Sequence, residues 1–234
     1  MQQTSFNLVA IAIFLMTLSV LLGPLIHLSP AVPAVATLAI LGLATADALS
    51  FKGRGATLFL DALARLSGEY RDRVLHHEAG HFLAAYFAGI PIESYTLNAW
   101  DAFKQGNPGT GGVVVDTDLL FKRSIPPHET RLFVDRFCTV WMAGIAAEQL
   151  MYGNAEGGED DRQKVTQTLA FFGRPRSESP QKQQWGQLQA KTAIEKHRSA
   201  YDALVEAMRQ GTSVSECYQT IQQHVEQEEM LSEM

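Results

Sequence analysis

The order of apolar and polar positions divides the chain into a head and a body. Phe6 to Leu28 is interrupted by polar side chains only at Asn7, Thr17, Ser19 and His27. At 1.5 Å per residue that run reaches about 35 Å, enough to cross a hydrocarbon core, and it predicts a transmembrane helix. After Ser29-Pro30, the stretch from Ala31 to Ala46 is shorter, rich in alanine and contains Pro33. Together they predict a helical hairpin within residues 1–50. A secretory signal peptide competes for Ala44-Thr45-Ala46, but Met1 to Ser5 carries no Lys or Arg and the apolar region is too long for a signal core.

The body changes period. Gly53 and Gly55 break the pattern, and Leu58, Leu60, Leu63, Leu66 and Val74 then predict an amphipathic connecting helix over 51–68 that leads into the next segment. Pro91 stops the helix that follows. Ile92 to Leu97 alternates, and Gly112 to Asp116 is a short β-branched run. These predict two strands joined by a glycine-rich loop holding Trp100, Gly106, Pro108, Gly109 and Gly111. Beyond Pro126-Pro127 the period is helical over His128–Tyr152, about Asp160–Phe172, Gln181–Arg209 and about Ser213–Glu229, with Thr212 or Ser213 as cap. The expected fold is mainly α with a small β-sheet (α+β). A folded domain over 69–229 follows the hairpin, and 230–234 is a solvated tail with Glu233.

Charge alters the picture in one respect. No Asp, Glu, Lys or Arg precedes Asp47, so all charges of a chain with 25 acidic and 19 basic residues sit in the body. A net charge of -6 argues against nucleic acid as a partner, which would need clustered cations. The first basic residues, Lys52 and Arg54, with Arg65, Arg71 and Arg73 behind them, place the body on the cytoplasmic side of the expected membrane segment, or a stromal or matrix equivalent. Cys138 and Cys217 are too few for a disulfide scaffold or a cysteine-rich zinc knot, and read as buried small hydrophobes.

The chemistry lies in His77-Glu78-Ala79-Gly80-His81, an HExxH pattern. Residues four apart project from one helical face, so both imidazoles reach one ion, and neutral imidazole suits Zn²⁺. Glu78 sits at the edge of that face, where its carboxylate takes a proton from an activated water. His76 is rotated off the ligand face and reads as structural or solvent-facing. A catalytic zinc site needs a third protein ligand. Metzincin spacing would put Gly and His where Ala84 and Phe87 stand, which excludes that class. The remaining acids are Glu148, Asp160 and Asp161, and spacing does not choose among them. A capping role accounts equally for the two aspartates, and a buried Glu148 needs a partner such as a histidine ligand.

HEAGH at 77–81, GIAAEQLMYG at 144–153, GGEDDRQKV at 157–165 and AKTAIEKHRSAYDALVEAM at 190–208 resemble, in that order, the peptidase domain of the FtsH family of zinc metalloproteases. The resemblance covers about residues 69 to 228. It implies a zincin-type helical peptidase in which His77, His81 and Asp161 hold zinc, with Asp160 as the alternative allowed by the Gly157-Gly158 doublet. It further implies Glu78 as catalytic base and Glu148 in support. Gly112, Val113, Val114 and Val115 match the family's edge strand, where an extended substrate adds by main-chain pairing.

The family carries an ATP-driven unfoldase with a GxxxxGK[ST] loop, and no such loop occurs here, so no ATP binding of that type is expected. The resulting expectation is a membrane-anchored, ATP-independent zinc metalloendopeptidase cleaving unfolded or membrane-associated polypeptides, in contact with the lipid bilayer. Homo-oligomers or assembly with membrane ATPase-proteases are compatible with it. The competing expectation is a non-catalytic, zinc-stabilised subunit or adaptor. An intramembrane protease is disfavoured, because Arg71, Asp72 and Arg73 crowd the approach to His77.

Overall fold

The computed structural model describes residues 2–50, 54–106, 111–118 and 127–232. Lys52, Gly53, Pro108, Gly109, Pro126 and Glu233, used in the reading above, lie outside them. The described chain is mainly helical, with one two-stranded sheet. It divides into two compact units. The first comprises residues 1–68 and 98–111, the second 69–97 and 112–234.

In the first unit α1 (Gln2–Leu22) passes through a 3₁₀ turn, Gly23–Ile26, before α2 (Ala31–Ser50) and α3 (Arg54–Ala64). Phe14, Leu21, Leu38 and Leu43 are exposed along α1 and α2. Among the described residues, however, no helix is long and apolar enough to cross a membrane. Helix α1 ends at Leu22, so the apolar run that starts at Phe6 keeps only 17 helical residues before the 3₁₀ turn, and these reach about 26 Å at 1.5 Å per residue, against the roughly 30 Å required. In α2, Pro33 and Asp47 bracket a shorter stretch. The expected transmembrane hairpin is therefore corrected to two helices joined by a 3₁₀ turn. The assignment as an integral membrane protein with its body on the cytoplasmic, stromal or matrix side falls with it, because the positive-inside argument requires a span.

The segment expected to be a plain glycine-rich loop holds a short helix, α5 (Ala99–Lys104), which belongs to the first unit. Asn98 caps it, its side chain accepting the Asp101 N–H at 2.7 Å. The buried Asp61 carboxylate accepts the Ala99 N–H at 3.0 Å, tying α5 to α3.

The second unit contains α4 (Gly68–Ala88), the strands β1 (Ile92–Thr96) and β2 (Gly112–Val115), α6 (Pro127–Tyr152), α7 (Glu159–Phe171), a 3₁₀ turn Arg176–Glu178, α8 (Ser179–Lys196), α9 (Arg198–Arg209) and α10 (Val214–Ser232). The strands pair antiparallel, Tyr95 opposite Val113 and Thr96 opposite Gly112, with an irregularity between Ile92 and Ser94. Between Arg136 and Glu148, α6 carries no charge, and Phe137, Met142 and Ile145 are fully buried in the core with Phe82, Leu83, Leu169, Ile194, Leu204, Met208 and Ile221. Helix α6 packs on α8 and α7, and α9 packs on α10.

Two glycines set how closely helices meet. A Cβ on Gly80 would stand 2.6 Å from the Ala143 carbonyl and 2.8 Å from the Ala147 Cβ, so the glycine of HEAGH lets α4 lie directly on α6. A Cβ on Gly144 would overlap the His77 ring. The helix expected over Gln181–Arg209 is two helices, broken at His197 without proline or glycine. His197 stacks on Phe87 at 4.3 Å and pairs through Nδ1 with Glu228 at 3.0 Å, contacts that outweigh helical continuity. Ser213 and Glu216 form a reciprocal cap on α10. The Ser213 Oγ accepts the Glu216 N–H at 3.3 Å, and the Glu216 carboxylate accepts the Ser213 N–H at 2.8 Å.

Candidate metal centre

Helix α4 presents His77 and His81 on one face, with their Nε2 atoms 3.1 Å apart. Helix α7 brings Asp161 to them from its first turn, its Oδ2 lying 3.1 Å from His77 Nε2 and 3.4 Å from His81 Nε2. Among the described residues these three form the one group with ligand atoms close enough to share an ion. Asp160, the alternative, is exposed. Gly158, which precedes α7, has φ +93°, and a side chain there would run into Ile145. A glycine therefore starts the helix at the angle that turns Asp161 inward.

The donor set fits a cation. Four-coordinate zinc with bonds of about 2.0–2.1 Å holds its ligand atoms roughly 3.3 Å apart, and the three observed separations bracket that figure. The other nitrogen of each histidine is committed. His77 Nδ1 donates to Glu148 Oε1 at 2.7 Å, and His81 Nδ1 donates to the Val140 carbonyl at 2.7 Å. Both Nε2 atoms are thus the metal-facing atoms of neutral imidazoles, and two lone pairs at 3.1 Å beside a carboxylate call for a positive charge. With no metal bound, a proton supplies it. Burial alone would lower the His77 pKa, but hydrogen bonds to Asp161 and Glu148 push it up to about 10. Asp161 is likewise held well below the usual carboxylate range. Burial works against this, but the electrostatic pull of the neighbouring His81 and the hydrogen bond to His77 outweigh it.

Glu148 closes a second ring of contacts. Its Oε2 accepts the Glu156 N–H at 2.9 Å and lies 3.5 Å from Arg73 Nη1. Burial raises its pKa, yet His77 and the Glu156 amide draw it below the ordinary value. Arg73, one turn before His77 and buried, donates to Asn154 Oδ1 at 3.0 Å and lies over the Tyr152 ring at 4.4 Å. It thereby clamps the connection from α6 to α7 that delivers Asp161. Lys164 donates to the outer Asp161 oxygen, Oδ1, at 3.0 Å.

Glu78 is buried beside the group, and its Oε2 accepts the main-chain N–H of Val113 at 2.8 Å. The structure therefore places β2 against the residue expected to act as base. Val113 and Val114 are half-buried and Val115 is buried. His76 faces the other way. Its Nδ1 meets the Tyr201 hydroxyl at 2.9 Å, a tie to α9 that makes it a packing residue.

Sequence reasoning missed Arg73, Asn154, Lys164 and the Val113 and Val140 main-chain groups. Lys164 and Arg73 had a signal, helical spacing of three and four from Asp161 and His77. The main-chain partners had none. No protein-family model matches the chain, and no curated protein matches it significantly.

Proposed function

We propose that this chain is a zinc metalloendopeptidase of FtsH-like type that hydrolyses unfolded or flexible polypeptide segments without ATP binding of its own. One observation carries the reading. His77 Nε2 and His81 Nε2 of α4 converge with Asp161 Oδ2 of α7 at ligand-to-ligand distances, and Glu78 follows His77 on α4. The group by itself accepts other divalent ions. Two imidazoles and a carboxylate with an open position are the donors that favour zinc in hydrolases. The ordered motifs at 77–81, 144–153, 157–165 and 190–208 supply the family part of the proposal.

A bound zinc ion would supply Lewis acidity, lowering the pKa of water and polarising a scissile carbonyl. The chain's own groups do the rest. Glu78 accepts the proton of the attacking water and passes it to the leaving amine. Glu148 and the Val140 carbonyl keep the histidines in the required tautomer. The outer edge of β2, which pairs with no third strand among the described residues, offers main-chain groups to an extended substrate.

The test is hydrolysis of an unstructured protein such as casein by the zinc-loaded chain. Chelation and Glu78→Gln should each abolish it, with zinc still bound in the variant. Absence of turnover from the zinc-loaded wild type would sink the proposal. The burial of His81 and Asp161 gives a second reading some support, a zinc-stabilised, non-catalytic subunit or adaptor. In that case chelation unfolds the chain, while Glu78→Gln changes no property of the assembly.

A further inference from the structure

We propose that the main-chain amide of Val113 is a positioning group for Glu78, so that strand β2 aims the base as well as lining the site; the catalytic part of this rests on the hydrolytic reading above. A glutamate one residue from a metal ligand has three rotatable side-chain bonds. A general base works only when its oxygen is held within hydrogen-bonding reach of the proton it takes. Among the described residues, the Val113 N–H is the one hydrogen-bond donor to the Glu78 carboxylate, and it engages Oε2 at 2.8 Å. The carboxylate is buried, so the bond also offsets the cost of removing it from water. Oε1 takes no part in it.

The strand can spare that amide. Backbone groups alternate sides along β2. The Asp116 N–H donates to the Pro91 carbonyl at 2.9 Å, on the β1 side, so Val114 also faces β1, opposite Ser94. Val113 therefore points away from β1, and its N–H reaches α4 at no loss to the ladder. Gly112, just before it, has φ +149°, a backbone conformation that side chains rarely adopt, and the site a Cβ would take there is 3.6 Å from Glu78 Oε2. A glycine at this position lets the strand begin against the carboxylate. It follows that an extended peptide pairing with the outer edge of β2 finds the Val113 amide already engaged. It must register on the Val113 carbonyl, next to the base.

The experiment has two arms on the full chain. In the first, amide exchange is resolved at single residues in the metal-free and zinc-loaded protein. Glu78→Ala should speed exchange at Val113 by about tenfold or more while leaving Val114 and helix α4 unchanged, as expected for a lost local hydrogen bond. Unchanged exchange at Val113 overturns the proposal whether or not the protein is a peptidase. In the second, Val113→Pro removes an N–H that the ladder does not use, and Val113→Ala keeps it. The proline variant should bind zinc like wild type and keep KM within about threefold, but lose roughly tenfold to a hundredfold in kcat, part of what a general base contributes. The alanine variant, which keeps the N–H, should lose several-fold less kcat than the proline variant. Equal kcat for the two variants overturns the positioning role while leaving the peptidase reading intact. A wild type that hydrolyses nothing sinks that reading, and the exchange arm still decides the bond. Should the proline variant misfold, the exchange arm decides alone.

Discussion

His77 Nδ1 donates to Glu148 Oε1 across 2.7 Å, joining the histidine-bearing helix α4 to the core helix α6. That one bond sets the tautomer of His77 and directs its Nε2 toward His81 and Asp161. Its other carboxylate oxygen holds the connection that positions Asp161.

Replacing Glu148 should weaken metal binding without abolishing the fold. Glu148→Gln keeps an acceptor for His77 but loses the charge that faces Arg73, and zinc affinity is expected to fall about tenfold to a hundredfold. Competition titration against a chromogenic chelator measures this. An unchanged affinity would show that Glu148 only packs.

The two neighbouring aspartates should separate cleanly. Asp161→Asn removes a buried charge that reaches both histidines and is expected to lose stoichiometric zinc. Asp160→Asn alters an exposed residue and should bind zinc as wild type does. Metal content of the purified variants checks both.

The raised pKa of His77 makes metal binding depend on pH. A group raised from 6.5 to about 10 on folding stabilises the metal-free chain fully below pH 6.5, and that contribution is lost as pH rises through 10. Zinc must displace the same proton. Its apparent affinity should therefore climb roughly tenfold per pH unit between about 7 and 9. The metal-free chain should lose stability over the range where affinity rises, and zinc should abolish that loss. Denaturation midpoints at pH 6, 8 and 10, with and without zinc, give the check. Asp161 has the opposite sign. Its contribution is present above the usual carboxylate pKa and is lost only in strong acid, so it leaves this window unaffected.

Gly144→Ala places a methyl group 2.4 Å from His77 Nε2 and Cδ2, well inside van der Waals contact. Overpacking of this kind costs about 1–3 kcal/mol. Because the displaced group is a ligand, zinc binding should fall further than stability does. Gly80→Ala, which meets the main chain of α6, should instead destabilise the whole second unit. Thermal unfolding paired with zinc titration distinguishes the two.

Arg73→Met removes the cation that Glu148, Asn154 and the Tyr152 ring share. Hydrogen bonds to charged groups contribute about 1.5–3 kcal/mol, and a loss in that range is expected by denaturant titration. The connection to α7 loosens with it, so zinc should dissociate faster.

Local patterns were legible wherever local physics decides. The alternation of Ile92–Thr96, the β-branched Gly112–Val115 and the uncharged middle of α6 announce their elements, because period and burial are written in neighbouring residues. Asn98-x-x-Asp101 holds a cap that marks α5, but it was lost among the glycines of the surrounding segment. The break at His197 and the orientation of His76 depend on Phe87, Glu228 and Tyr201, which lie far away along the chain, and no local rule anticipates them. The hairpin reading took Phe6 to Leu28 as one continuous helix, whereas the chain leaves the α-helix at Leu22 for a 3₁₀ turn. Among the described residues no helix combines the length and the apolarity that a span requires.

By itself the sequence determined that two histidines four apart share a helical face, that a glutamate stands beside them, and that a small set of downstream acids could join them. Helical periodicity guarantees the first two. Only the tertiary structure decided that Asp161 rather than Asp160 or Glu148 meets the histidines, that Glu148 instead holds the far nitrogen of His77, and that a main-chain amide of β2 holds Glu78. Those outcomes depend on how α6 and α7 approach α4, through contacts at Gly80, Gly144 and Gly158, where the absence of a side chain lets the elements approach. A hydrogen bond fixes its partners within a fraction of an ångström, and spacing along a chain carries no information at that scale between residues far apart in sequence.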